Sequence, residues 1–139
     1  MTPDTSPYAL VDANVILDIR TEDAVWFEWS SEALIETAAR MKLAINPIIF
    51  AEISIDAERI EELDDALPQQ HYERLALPYE AGFLAGKAFL RYRRAGGERR
   101  SPLPDFYIGA HAAVSGLTLL TRDAGRYRTY FPTVELICP

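Results

Sequence analysis

The sequence predicts an α/β fold, a parallel-sheet three-layer sandwich with helices above and below the strands. Three observations predict it. Five short strand-like runs, YALVD (8–12), KLAIN (42–46), RLALP (74–78), LTLLT (117–121) and VELIC (134–138), punctuate the chain. Apart from VELIC, their interiors show little polar alternation, as expected of strands covered on both faces. Between the runs lie segments of helical periodicity, and strands that alternate with helices build a mostly parallel sheet.

In chain order, the first strand ends on Asp12 within LVDANVILD, where Asp18 comes after Asn14 and three apolar residues. An unpaired buried carboxylate costs several kcal/mol, so Asp12 either caps the next segment of chain or binds something positive. Over 26–41, Trp26, Trp29, Ala33, Leu34, Ala38 and Met41 share one face at helical spacing. The two tryptophans there belong to a core or an interface. After KLAIN comes a helix through IIFAEISIDAERIEEL (48–63), with a stripe of Ile49, Ile53, Ile60 and Leu63. Asn46 is its N-cap and Pro47 its first residue. RLALP leads into a helix from Tyr79 to Arg94 that stops at Gly96-Gly97. Its core stripe is Ala81, Leu84, Ala85, Ala88 and Tyr92. A further helix opens at Asp105 in SPLPDFYIGAHA and leads into LTLLT.

With 139 residues the chain is expected to form one domain, 1–139, with a single core. It is 49% hydrophobic and 25% charged, an ordinary globular composition. No apolar run approaches the roughly 20 residues of a membrane span. MTPDTSP lacks the basic and apolar regions of a signal peptide. The single cysteine, Cys138, excludes an internal disulfide and a multi-cysteine zinc site. These features predict a cytoplasmic protein with no membrane partner, and an inert thiol at Cys138. A net charge of −7 argues against nucleic-acid binding through overall charge. The charge is polarised, however: residues 56–65 carry six acids against one Arg, and residues 87–100 carry six bases against one Glu.

Open parallel sheets bind ligands outside the carboxyl ends of their strands. Asp12 ends the first strand, Asp123 lies just past the fourth, and Asp105 opens the helix leading into the fourth. Glu52 lies between one and two turns into the helix leaving the second. Taken singly, each has an ordinary explanation: Asp12 and Asp123 as N-caps, Asp105 as a first-turn acid, Glu52 as a solvated edge residue. Taken together on one rim, like charges raise one another's pKa unless a cation joins them. An all-oxygen donor set favours Mg²⁺ or Mn²⁺ over zinc. Such ions serve phosphoryl transfer, singly or as a pair.

The stretches VDANVILD, NPIIFAEIS, SPLPDFYIGAHA and LLTRDAGRYRTYFP, in that order over about residues 8–137, resemble the PIN-domain nucleases, and more closely the VapC-type toxins of bacterial toxin–antitoxin pairs. The resemblance implies a Mg²⁺-dependent endoribonuclease, with Mn²⁺ as a substitute, a cognate antitoxin whose tail blocks the acidic site, and a homodimer. It implies Asp12, Glu52, Asp105 and Asp123 as catalytic acids, with Asp12, Asp105 and Asp123 on the metal. Glu52 would act through water or orient the nucleophile. Asn14 matches a polar residue that orients the first carboxylate, and Thr121 matches the hydroxyl of the last motif.

The sequence offers RNA contacts as well. Lys87, Arg91 and Arg94 recur at i, i+4 and i+7, and Arg99 and Arg100 precede Asp105, so a basic patch can deliver a phosphate backbone to the rim. Each of these residues alone also suits a solvated surface. Arg122 either touches RNA or supports the rim. His71 in PQQHYE is expected to be solvated, and His111, off the face of Asp105, is rejected as a ligand. A receiver-type signalling domain would need an acidic pair at the first strand and a late lysine, yet no Lys comes after Lys87. A haloacid-dehalogenase-like phosphatase would need Asp where Asn14 stands. A PIN nuclease that is not a toxin, and a non-catalytic module of the same fold, are the alternatives.

Overall fold

The computed structural model describes residues 8–98 and 103–139. Arg99 and Arg100 lie outside the described residues. The elements are β1 (Tyr8–Val11), α1 (Ala13–Arg20), α2 (Phe27–Arg40), β2 (Lys42–Ile45), α3 (Pro47–Ser54), α4 (Ile60–Ala66), β3 (Tyr72–Arg74), α5 (Tyr79–Arg94), α6 (Pro104–Ser115), β4 (Thr118–Leu120), α7 (Gly125–Tyr130) and β5 (Leu136–Ile137). The strands form one parallel sheet in the order β3-β2-β1-β4-β5. Its centre is β1, where Ala9, Leu10 and Val11 are wholly buried, which explains the unbroken apolar run. From β1 the chain steps outward through β2 and β3, then returns to the other side of β1 for β4 and β5. With right-handed crossovers, that reversal sends the later helices to the opposite face of the sheet. It also places the topological switch between the carboxyl ends of β1 and β4. Among the described residues, no helix is long and apolar enough to cross a membrane.

Local expectations are corrected at three places. The third strand lies at Tyr72–Arg74 rather than 74–78. An edge strand is covered on fewer sides, so polar Glu73 and Arg74 are tolerated, while Leu75 and Leu77 pack on the core without strand geometry. Pro78, which has no N–H to donate, then starts α5. The single helix expected over 48–63 is two helices. Ser54 turns its Oγ back onto the Phe50 carbonyl at 2.7 Å, and the chain leaves the helix at Ile55, which is 78% exposed. Ile60 therefore leaves the apolar stripe, whereas Ile49, Ile53 and Leu63 stay buried.

In α2 the buried face is Ser30, Ala33 and Thr37, and Ala38 is exposed. A buried serine contradicts hydrophobic periodicity; Ser30 is drawn inward by the Asp18 carboxylate, to which it donates. Short α1 and α7 are too brief for periodicity to mark, and each lies just beyond a strand's carboxyl end. The α5 stripe of Ala81, Ala85 and Ala88 is buried as expected and packs on α6. Gly116, at φ 66°, ends α6 in the left-handed region. Gly109 of α6 faces the Phe131 ring so closely that a Cβ would overlap it. This close approach holds α6, and with it Asp105, against the segment after α7.

Candidate metal centre

At the switch point the backbone of Asp12 donates to Leu120 O at 2.9 Å, so the carboxyl ends of β1 and β4 are fixed to each other. Asp12 caps the next segment, as one of its two expectations had it. Its Oδ1 accepts from Ala13 N at 2.8 Å and caps α1, and its carboxylate also lines a cleft. Oδ2 accepts from Thr121 Oγ1 and from the Tyr127 hydroxyl, each at 2.9 Å. Thr121 in turn accepts from Asp123 N at 3.1 Å and from Asn14 Nδ2 at 3.3 Å. Asn14 thus reaches Asp12 through Thr121, and its Oδ1 accepts from Arg122 N at 3.4 Å.

The cleft holds about 220 Å³ and is lined by Asp12, Ala13, Asn14, Leu17, Glu52, Ile55, Asp105 and Asp123. Four acids from four separate segments therefore share one opening. Asp105 sits in the first turn of α6, with Oδ1 3.3 Å from the Tyr127 hydroxyl and Oδ2 3.3 Å from Arg126 Nη1. Arg126 lies against the rings of Tyr92 and Phe106, which hold its guanidinium in place. Asp123 is exposed and Glu52 half-buried.

The electrostatics stem from burial. Desolvation, with a smaller push from Asp105, raises Asp12 from 3.8 to about 6 despite the hydroxyl and amide donors. Desolvation and the charges of Asp12 and Asp105 raise Glu52 from 4.5 to about 7. Asp105 is raised by burial against the opposing pull of Arg126. Burial pushes the Tyr127 hydroxyl up as well, so it stays protonated and donates.

Among the described residues, no three His, Cys, Asp or Glu side chains converge as a ready cage. Oxygen donors whose ionised forms are disfavoured by burial and by one another nevertheless suit a hard divalent cation, which relieves both penalties. Mg²⁺ commonly keeps several waters and takes only one or two carboxylates, so the donor set fits it without a cage.

Other candidate residues fall outside the cleft. Lys87, Arg91 and Arg94 are exposed on α5. Lys87 lies over the Phe83 ring, and Arg91 donates to Tyr130 O at 3.0 Å. Arg122, expected either at RNA or in support of the rim, turns inward. Its Nε and Nη2 meet Asp18 at 2.7 and 3.2 Å, and its guanidinium lies over Trp26. Ser30 Oγ donates to the same carboxylate at 2.7 Å, which is why α2 buries a serine. His111 is buried, and Nδ1 lies 2.9 Å from Asn46 Nδ2. Burial lowers its pKa, and the neutral ring accepts from the amide whose Oδ1 caps α3. His71 is exposed, and Cys138 Sγ accepts from Arg128 at 3.2 Å.

Sequence reasoning missed Tyr127 and Arg126 and left Asp18 without a role. The signal for Tyr127 is its position four residues, about one helical turn, after Asp123.

No curated protein matches the chain significantly by sequence. Solved structures do resemble it. One is VapBC2 from Rickettsia felis bound to a DNA fragment from their promoter, at 17% identity and TM-score 0.70, covering 94% of this chain and 98% of that one. Another is VapBC-1 from nontypeable Haemophilus influenzae, at 15% identity and TM-score 0.71, covering 94% and 97%. A third is a toxin–antitoxin complex from Klebsiella pneumoniae, at 21% identity and TM-score 0.63, covering 86% and 89%. At these identities the likeness is one of fold. The model that describes the PIN domain matches residues 9–132, nearly the whole of the chain that builds the sheet and its acidic rim, and the protein therefore belongs to the PIN-domain family.

Proposed function

We propose that this protein is a Mg²⁺-dependent endoribonuclease, with Mn²⁺ able to substitute, and that it acts in the cytoplasm as the VapC-type toxin of a toxin–antitoxin pair. The observation that carries the proposal is the convergence of Asp12, Glu52, Asp105 and Asp123, from four separate motifs, on one cleft at the switch point. The toxin assignment is supported by membership of the PIN family and by fold neighbours described as VapBC and toxin–antitoxin complexes.

Asp12 and Asp105, with Asp123 at the cleft's outer wall, would hold the cation. The bound ion would supply Lewis-acid activation of water and neutralise charge on the phosphoryl oxygens. Thr121 and Asn14 keep Asp12 in place, and Glu52 would act through water or orient the nucleophile. Lys87, Arg91 and Arg94 attract the RNA backbone, and Arg122 braces the rim through Asp18. On α5, Tyr79, Phe83 and Leu90 are 95%, 70% and 41% exposed at i, i+4 and i+11, an apolar surface suited to the second copy of a homodimer.

The test is RNA cleavage by the purified protein with Mg²⁺, Mn²⁺ or EDTA, alongside growth on expression. Asp12→Asn and Asp105→Asn should each lose more activity than the ~100-fold ceiling typical of outer-shell partners, and should abolish toxicity. Parental activity in both variants would overturn the nuclease assignment. Cleavage without growth arrest, with no small antitoxin gene adjacent, would leave a PIN nuclease that is not a toxin. Sedimentation of the parent and Phe83→Glu reads the dimer.

A further inference from the structure

The Tyr127 hydroxyl reaches the carboxylates of two of the proposed metal-holding acids, Asp12 Oδ2 at 2.9 Å and Asp105 Oδ1 at 3.3 Å. These acids lie 115 and 22 residues away in sequence, and Tyr127 itself is 1% exposed. A phenol carries one proton, and the shorter contact directs it mainly to Asp12. Thr121 Oγ1 donates to the same oxygen. A carboxylate offers about four lone-pair directions, two on each oxygen. Both directions on Asp12 Oδ2 are thereby committed, and one on Oδ1 is taken by Ala13 N. One direction, on Oδ1, is left for a cation.

We propose that Tyr127 is a positioning residue for the metal centre. Its hydroxyl fixes the rotamer of Asp12, sits 3.3 Å from Asp105 Oδ1, and leaves Oδ1 as the oxygen of Asp12 with a direction open to a cation. The inference rests on the metal-dependent reading of the cleft and adds to it a residue outside the four acids. The ring of Tyr127 belongs to the core independently of the hydroxyl. Tyr127→Phe therefore removes the bridge and keeps the packing. Without the bridge, Asp105 Oδ1 loses its partner, and Asp12 is held by Thr121 and Ala13 only.

The experiment is Mn²⁺ titration by calorimetry on the parent and on Tyr127→Phe, with thermal melting in EDTA and the Mn²⁺ dependence of cleavage measured alongside. The expected result is Mn²⁺ binding weakened about tenfold, at the lower end of what outer-shell partners contribute. The half-saturating Mn²⁺ concentration for cleavage should rise by a similar factor, with the rate at saturating Mn²⁺ little changed. Melting in EDTA should stay at the parental value, which separates positioning from a purely structural role. Thr121→Val, which removes the other donor to Asp12 Oδ2, should weaken Mn²⁺ binding in the same direction and guards against misfolding of the first variant. A parent that binds Mn²⁺ and a Tyr127→Phe that binds within twofold of it would overturn this inference alone. Weakened binding matched by a proportionate loss of folded protein in both variants would overturn it too. A parent that binds no Mn²⁺ would overturn the metal-dependent reading and this inference with it.

Discussion

Asp12 and Asp18 stand six residues apart on either end of α1, and both are buried, yet their surroundings differ in kind. Asp18 meets the Arg122 guanidinium through both oxygens and accepts from Ser30 as well. Its charge is matched where it lies. Among the described residues Asp12 has only neutral donors, an amide and two hydroxyls, and the charge that acts on it is that of Asp105. One cation among the described residues, Arg126, meets this group, and it does so at Asp105. The first arrangement is complete as an ion pair, whereas the second carries more carboxylate charge than the described residues match. Burial of a carboxylate therefore does not mark a site by itself; burial with its counter-charge left out does.

The largest expected effect breaks the closed pair. Arg122→Ala leaves a buried carboxylate with a serine and no cation, and should cost about 3 kcal/mol in urea unfolding. Replacing both members, as Asp18→Leu with Arg122→Met, should recover most of that loss, because removing a whole buried pair is often neutral. A loss below about 1 kcal/mol in Arg122→Ala would place the pair with exposed salt bridges and weaken the contrast.

The same contrast shows how far the sequence can be read. YALVD and LTLLT are legible because full burial writes an unbroken apolar run, and the four acids are legible because each motif sits at a strand end or in a helix that borders one. Pattern misplaces β3 because an edge strand is not obliged to be apolar. It misreads the buried face of α2 because Ser30 is buried for Asp18, a contact across 12 residues that hydrophobic periodicity does not encode. Tyr127 is hidden for the same reason on a larger scale: a tyrosine after Asp123 reads as core until the fold brings Asp12 to its hydroxyl. What a side chain does by long-range hydrogen bonding is decided by topology, and local pattern does not report it.

A smaller effect sharpens the open site. Asp12 is raised from 3.8 to about 6 and Glu52 from 4.5 to about 7, so between about pH 4 and pH 7 the folded chain binds more protons than the unfolded one. Stability from these groups is therefore full below pH 4 and falls as the pH rises through the folded values. After discounting for the exposure of Glu52 and for the coupling between the groups, the metal-free protein should be about 2 kcal/mol more stable at pH 5 than at pH 8 from this source. Urea unfolding in EDTA at the two pH values, for the parent and for Asp12→Asn with Glu52→Gln, isolates the contribution. The double variant should lose most of the difference, and added Mn²⁺ should reduce it in the parent. Equal pH dependence in the parent and the double variant would show that the rim carries no such repulsion.

The smallest effect concerns charges that neither region needs for folding. Lys87, Arg91 and Arg94 lie on exposed turns of α5, and the cleft lining contains none of them. If they serve RNA, they act through the phosphate backbone, so each should contribute to affinity uniformly across sequences and in a salt-dependent way. Lys87→Ala should raise the KM for RNA about two- to threefold and lower the slope of log affinity against log salt by less than about 1, with kcat unchanged. Arg91→Ala should cost more than Lys87→Ala in stability, because it also removes the donor to Tyr130 O and so loosens α5 from the end of α7. A Lys87→Ala variant with an unchanged salt slope would make this stripe a solvated face. RNA would then have to reach the acids by another side of the rim, where Arg126 is the described cation paired with Asp105.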